Sequence, residues 1–169
     1  MNETQTYKNL KNKQQDNFPE YIVIHHSAAS PDQTVQSIEN YHLSLGWEGV
    51  GYQYLINKQG EVWKGRPETY HGAHVSEQRI NFRSIGICVI GNFDIGLPTK
   101  EQVTSLTVLL KDIISRFPNI IIKYHRDFNP KSCPGKNIAN DWAINLLKIV
   151  TQEMVSIPKP LAEELKKYL

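Results

Sequence analysis

At 169 residues and 40% hydrophobic content, the chain has the size of one domain with a sizeable core, since single domains run to roughly 100–200 residues. Its 19 Lys and Arg against 17 Asp and Glu leave a net charge of +2; with no basic tract interleaved with aromatics, nucleic acid is not an expected partner. The only cysteines, Cys88 and Cys133, argue against a disulfide framework.

Residues 1–19 are polar, lysine-containing and without apolar periodicity, and are expected to form a mobile arm ahead of a domain spanning 20–155. They carry no apolar h-region or small-residue cleavage site, so the product is expected to be made in the cytoplasm without a signal peptide. No run approaches the roughly 20 apolar residues needed to span a bilayer, which excludes membrane insertion.

Tyr21-Ile22-Val23-Ile24-His25-His26 is rich in β-branched residues and reads as a buried strand. Alternation along a strand sends His25 and His26 to opposite faces, so only one looks into a given site, and His26 reads as structural. A helix follows, with Val35, Ile38, Tyr41 and Leu45 at helical spacing and Gly46 as its stop; His42 rides on it as a surface or half-buried residue. Residues 51–57 and 61–64, joined by Lys58-Gln59-Gly60, read as an antiparallel hairpin.

Residues 65–83 are irregular, with His71, His74, Arg79 and Arg83 among glycines, and long irregular stretches in compact domains commonly carry function. Ser84 to Gly91 is an apolar strand holding Cys88 as a small core residue. Thr99-Lys100-Glu101-Gln102 matches a capping box, and the helix it opens runs to about Phe117 before Pro118. Asn119 to Tyr124 is a third apolar strand, which delivers His125 at its end. Ile138, Trp142, Leu146, Ile149, Val150 and Met154 fall at helical spacing, with Trp142 in the core, and 156–169 reads as a tail or short helix. This order of elements predicts an α/β domain with a central mixed β-sheet flanked by helices.

Ligands of such sheets gather outside the carboxyl ends of strands, where His25 and His125 both emerge. Cys133, eight residues beyond His125 in a proline-bounded loop, can fold back to the same place. Two imidazoles and a thiolate make a sound zinc set with a fourth position open to water. The same residues equally allow a Cys133 nucleophile with His125 as its base. In the zinc reading, Lys131 is placed to stabilise an oxyanion, and Tyr52 to donate a proton or hold the water. Trp47 and Trp63 read either as core aromatics or as sugar platforms.

Six ordered blocks carry a resemblance: Ile22-Val23-Ile24-His25-His26-Ser27-Ala28, Gly46-Trp47 with Val50-Gly51-Tyr52, Gly60-Glu61-Val62 with Gly65-Arg66, Gly72-Ala73-His74, Asn81 with Ser84-Ile85-Gly86-Ile87, and His125-Arg126 with Pro130-Lys131-Ser132-Cys133-Pro134. Over about residues 20–150 the chain resembles the type 2 zinc-dependent N-acetylmuramoyl-L-alanine amidases, which include phage lysozymes and animal peptidoglycan recognition proteins. The resemblance implies a substrate groove above a zinc ion (Zn2+) and cleavage of the amide between N-acetylmuramic acid and L-alanine. It marks His25, His125 and Cys133 as zinc ligands and Tyr52 and Lys131 as the catalytic pair. It also sets His74 against substrate, and it puts Trp47 and Arg66 where members preferring meso-diaminopimelate stem peptides carry the same residues.

The expected partner is peptidoglycan or a soluble muropeptide, and the protein is expected to be a monomer. A phage or prophage endolysin acting on the cell wall after release fits these features. A cytosolic amidase recycling soluble muropeptides, or a module that binds peptidoglycan without cutting it, are the alternatives.

Overall fold

The computed structural model describes residues 1–148. Helical backbone begins at 142 and continues to 148; the rest of the expected last helix and the 156–169 tail lie outside the described residues. Among the described residues no helix is long and apolar enough to cross a membrane.

The strands are β1 (Asn2–Glu3), β2 (Tyr21–His26), β3 (Tyr54–Ile56), β4 (Val62–Lys64), β5 (Ser84–Val89) and β6 (Ile121–Tyr124). The helices are α1 (Gln5–Leu10), α2 (Val35–Ser44), α3 (Gln78–Asn81) and α4 (Lys100–Arg116). They form one six-stranded mixed sheet in the order β1-β4-β3-β5-β2-β6. Among the described residues only β3 and β4 pair antiparallel, as the expected hairpin, and β2 sits between β5 and β6 in parallel register. Parallel strands covered on both faces read as continuous apolar runs, which is why β2 and β5 stand out in the sequence.

Alternation along β2 sets Ile22 and Ile24 toward α4, where they pack with Ile85, Ile87, Leu106 and Leu110. Val23 and His25 take the other face, where Val23 joins Val75 and Ile80. On that face α2 sends Val35 and Ile38 against Leu55 and Cys88. The capping box of α4 forms as expected, with Thr99 accepting from the Gln102 backbone and the Gln102 side chain returning to Thr99 N; caps of this kind contribute about 1 kcal/mol.

The expectation of a mobile arm over 1–19 is corrected by the fold. β1 adds to the sheet edge beside β4. Thr4 caps α1, and Leu10 is buried. The buried Glu39 carboxylate accepts from Thr6 N at 2.6 Å and from Thr6 Oγ1 at 2.5 Å. Farther on, Asp16 and Asn17 donate their backbone N–H groups to Thr69 O. Polar groups satisfied by distant partners hold this segment, and such groups leave no apolar period in the sequence.

Candidate active site

β2 and β6 lie side by side and end together, so His25 at the end of β2 and His125, in the single turn of 3-10 helix after β6, project into one place. Their ring centroids are 4.5 Å apart. The chain then doubles back. Arg126 N donates to Cys133 O, and the Arg126 guanidinium donates to Gly135 O and Ile138 O. Asp94 clamps the loop from outside, accepting from Ser132 Oγ at 2.9 Å and from Lys136 N at 2.8 Å. Cys133 Sγ is thereby delivered to 3.8 Å from His25 Nδ1.

One ligand atom from each of His25, His125 and Cys133 lies within 4.8 Å of the others. Two imidazoles and a thiol at this spacing suit zinc in ligand type and in number, with room for an open position. Burial, with the neighbouring His74, His125 and His26 rings adding to it, holds His25 well below the ordinary histidine range. Burial, with the Lys131 ammonium nearby, also lowers His125 from the ordinary histidine value. Both are therefore neutral near pH 7, the state in which imidazole ligates. Burial pushes the Cys133 thiol up to about 11, against a lowering contact from the His26 N–H. A buried thiol so far above neutrality, beside uncharged imidazoles, is not armed as a nucleophile; this weighs against the cysteine-hydrolase alternative.

These residues form the floor of a cavity of about 420 Å3 whose walls include Tyr52, Asp94 and Lys131. Burial, followed by the nearby Cys88 and Cys133, raises the Tyr52 hydroxyl well above the usual phenol range, so it stays protonated, with the Cys88 side chain as its hydrogen-bond partner. A larger cavity of about 520 Å3 opens between β1, the start of α2 and the β3–β4 turn, and its wall contains neither imidazole nor thiol. The ligating chemistry belongs to the smaller one.

His26 takes the opposite role from His25. Its Nδ1 accepts from Phe93 N at 3.0 Å, which ties the end of β2 to the loop bearing Asp94. Trp47 is 39% exposed and stacks on His42 with centroids 4.7 Å apart. His42 itself is buried, contrary to the surface or half-buried position expected from its helix, because its Nδ1 accepts from Gly51 N beside Tyr52.

Two residues that the resemblance sets against substrate turn inward. His74 is 7% exposed and lies behind His25, with Nδ1 3.0 Å from His25 Nε2. Arg66 is 3% exposed and donates to Val50 O and His71 O, so its guanidinium braces the segment leading to Tyr52. Asp94 and Ser84, which position the loop and the His74 ring, were not legible beforehand because each acts across the fold; Gly72 and Gly86, where a side chain would collide with the imidazole, were the available signal for His74.

An α/β sheet with two imidazoles and a thiol converging at its strand ends, a group that could hold a metal ion, defines the class of protein. Comparison with known proteins narrows it: the sequence profile of the N-acetylmuramoyl-L-alanine amidases matches residues 14–136, and the chain belongs to that family. It is 38% identical over 136 residues to peptidoglycan-recognition protein SC2 of Drosophila melanogaster, covering 74% of this chain and 73% of that one. It is 33% identical over 134 residues to the endolysin of Escherichia phage T7, covering 75% and 87% respectively. Among solved structures, N-acetylmuramoyl-L-alanine amidase LysC from Clostridium intestinale superposes with a TM-score of 0.72 at 29% identity, covering 89% of this chain and 96% of LysC.

Proposed function

We propose that the protein hydrolyses the amide between the lactyl group of N-acetylmuramic acid and the L-alanine of the stem peptide in peptidoglycan, with zinc as cofactor. The observation that carries this reading is the convergence of His25, His125 and Cys133 on the floor of a cavity that Tyr52 and Lys131 also line, in a chain of the amidase family.

In the reaction, water adds to the lactyl carbonyl carbon, the C–N bond breaks, and a proton passes to the departing alanine nitrogen. His25, His125 and Cys133 would hold the metal, which supplies Lewis acidity toward a carbonyl oxygen and lowers the pKa of water. Lys131 offers an ammonium to the oxygen that gains negative charge during attack. Tyr52, on the cavity wall and kept protonated by burial, is the group we assign to orient the attacking water or the carbonyl. Removing a donor aimed at the developing charge commonly costs about 10²–10³ in kcat.

The test is release of new alanine amino termini from purified sacculi and from soluble muropeptides, alongside the zinc content of the protein. Expected are one zinc per chain, activity abolished by chelation and restored by zinc, and large kcat losses in Tyr52→Phe and Lys131→Ala. Retention of full activity after the metal is stripped would overturn the reading. The kinship to phage T7 endolysin supports a lytic role on intact wall, after release from the cytoplasm. Faster turnover of soluble muropeptides than of sacculi would favour recycling instead.

A further inference from the structure

The site cavity does not end at the metal-binding floor. Ala28, on its wall, also lines a second cavity of about 420 Å3, formed between the β2–α2 loop and the 91–99 segment. Ala29, Pro31, Phe93, Ile95 and Leu97 give that cavity a largely carbon surface. Ile95 and Leu97 are 84% and 70% exposed at its rim, and large apolar side chains grouped in solvent at the mouth of a cavity mark a binding surface. Its volume falls in the range of small-ligand sites, roughly 300–1,000 Å3.

The substrate of the proposed reaction leaves the scissile amide in two directions, one toward the stem peptide and one toward the glycan strand. The peptide arm bears carboxylates, whereas the glycan arm is neutral once the lactyl carboxyl is tied up as the amide. No lysine, arginine or histidine lines the second cavity, so a carboxylate entering it would lose water without gaining a cation. A β-linked acetamido sugar presents ring C–H faces and an acetamido methyl, and both suit a carbon surface. Thr99 Oγ1 and Gln102 Nε2 on this wall already donate to backbone carbonyls, which leaves the Ser30 hydroxyl and the Asn92 amide for its oxygens: Ser30 Oγ accepts from Asp32 N and Asn92 Oδ1 from Asp94 N, and Asn92 Nδ2 points to no acceptor among the described residues.

We infer that the Ala29–Phe93–Leu97 cavity is a glycan subsite that takes the acetamido sugar adjoining the scissile muramoyl residue. The inference rests on the amidase reading for the identity of the substrate. In it Asn92 donates to a sugar oxygen, and Leu97 and Ile95 cover the apolar ring face. The amidase would then prefer a disaccharide-peptide to a muramoyl-peptide with the same stem.

Binding and turnover are measured separately with two defined ligands, the muramoyl-peptide and the N-acetylglucosaminyl-muramoyl-peptide carrying an identical stem. Wild-type protein is expected to bind the disaccharide ligand at least tenfold more tightly and to show a similar ratio in kcat/KM. Ala29→Trp, which fills the cavity, and Leu97→Asp, which charges its rim, should each bring the ratio toward one. Equal affinity of the wild-type protein for the two ligands overturns the subsite. So does an unchanged ratio in both variants, or a loss of the ratio that tracks a change in oligomeric state, which would make the surface a contact between copies. Disaccharide preference in binding without cleavage of either ligand would leave the subsite standing and sink the amidase reading.

Discussion

His25 Nε2 lies 3.0 Å from His74 Nδ1, and the opposite ring nitrogen of His25 faces Cys133 Sγ at 3.8 Å. If Nδ1 is the metal-facing atom, Nε2 carries the proton and donates it to His74. His74 Nε2 then donates to Ser84 Oγ at 3.3 Å, and Ser84 Oγ donates to Ile80 O at 2.6 Å. Each member has one donor and one acceptor to spend, so this direction satisfies the whole buried chain. Burial, with His125 and Arg66 nearby, lowers His74 to about 3, which keeps it a neutral acceptor throughout the working range of pH. His74 is thus placed to fix the tautomer and the ring plane of a ligand.

His74→Ala is accordingly expected to weaken zinc binding by about 10–100-fold, the usual cost of losing a partner behind a metal ligand. Chelator competition measures this, and KM at saturating zinc should move little. A raised KM with unchanged zinc affinity would return His74 to the substrate contact implied by the resemblance.

The same device can be broken without touching a titratable group. A Cβ on Gly86 would sit 2.5 Å from His74 Cδ2, and one on Gly72 would sit 2.4 Å from the same atom. These glycines leave the space that the imidazole occupies between β5 and the 70–75 segment. Gly86→Ala should push the ring off His25, lowering zinc affinity in step with His74→Ala and costing about 1–3 kcal/mol of stability from overpacking. Denaturation curves with and without zinc separate the two effects, and a variant that loses stability but keeps wild-type zinc affinity would refute the account.

Metal binding should be linked to pH through one residue. Burial pushes the Cys133 thiol up to about 11, while His25 and His125 are already neutral near pH 7 because both are lowered. A thiolate is needed to ligate, so a proton must leave Cys133 and none must leave the histidines. Calorimetry in buffers of different ionisation enthalpy should therefore find about one proton released per zinc between pH 7 and 8, and affinity should fall about tenfold for each unit of acidification. Release of two or more protons would mean that the histidines start out charged.

The convergence of His25, His125 and Cys133 and the central strands were legible because they depend on local pattern. β2 and β5 are apolar runs of β-branched residues, and the two strand-end histidines followed from alternation and strand direction. Residues whose roles depend on a partner far along the chain were not. Arg66 and His74 were recognisable as family positions, but whether each faces solvent or the interior is set by the Val50, His71 and His25 atoms they meet. The N-terminal segment failed for the same reason, since Thr6 finds Glu39 33 positions away.

That contact gives the last prediction. Thr6 Oγ1 donates to the buried Glu39 carboxylate at 2.5 Å and accepts from Val50 N at 3.0 Å, two residues ahead of Tyr52. Thr6→Val preserves shape but leaves a buried carboxylate short of a donor and a buried N–H without an acceptor. Buried groups left in this state cost about 1–3 kcal/mol each, so the variant should lose roughly 2–6 kcal/mol of stability in urea denaturation, while Thr6→Ser stays near wild type. A mobile arm would tolerate both changes within about 0.5 kcal/mol, as exposed positions do. Because Val50 leads directly to Gly51 and Tyr52, Thr6→Val should also lower kcat at temperatures where the protein remains folded, and Thr6→Ser should restore it.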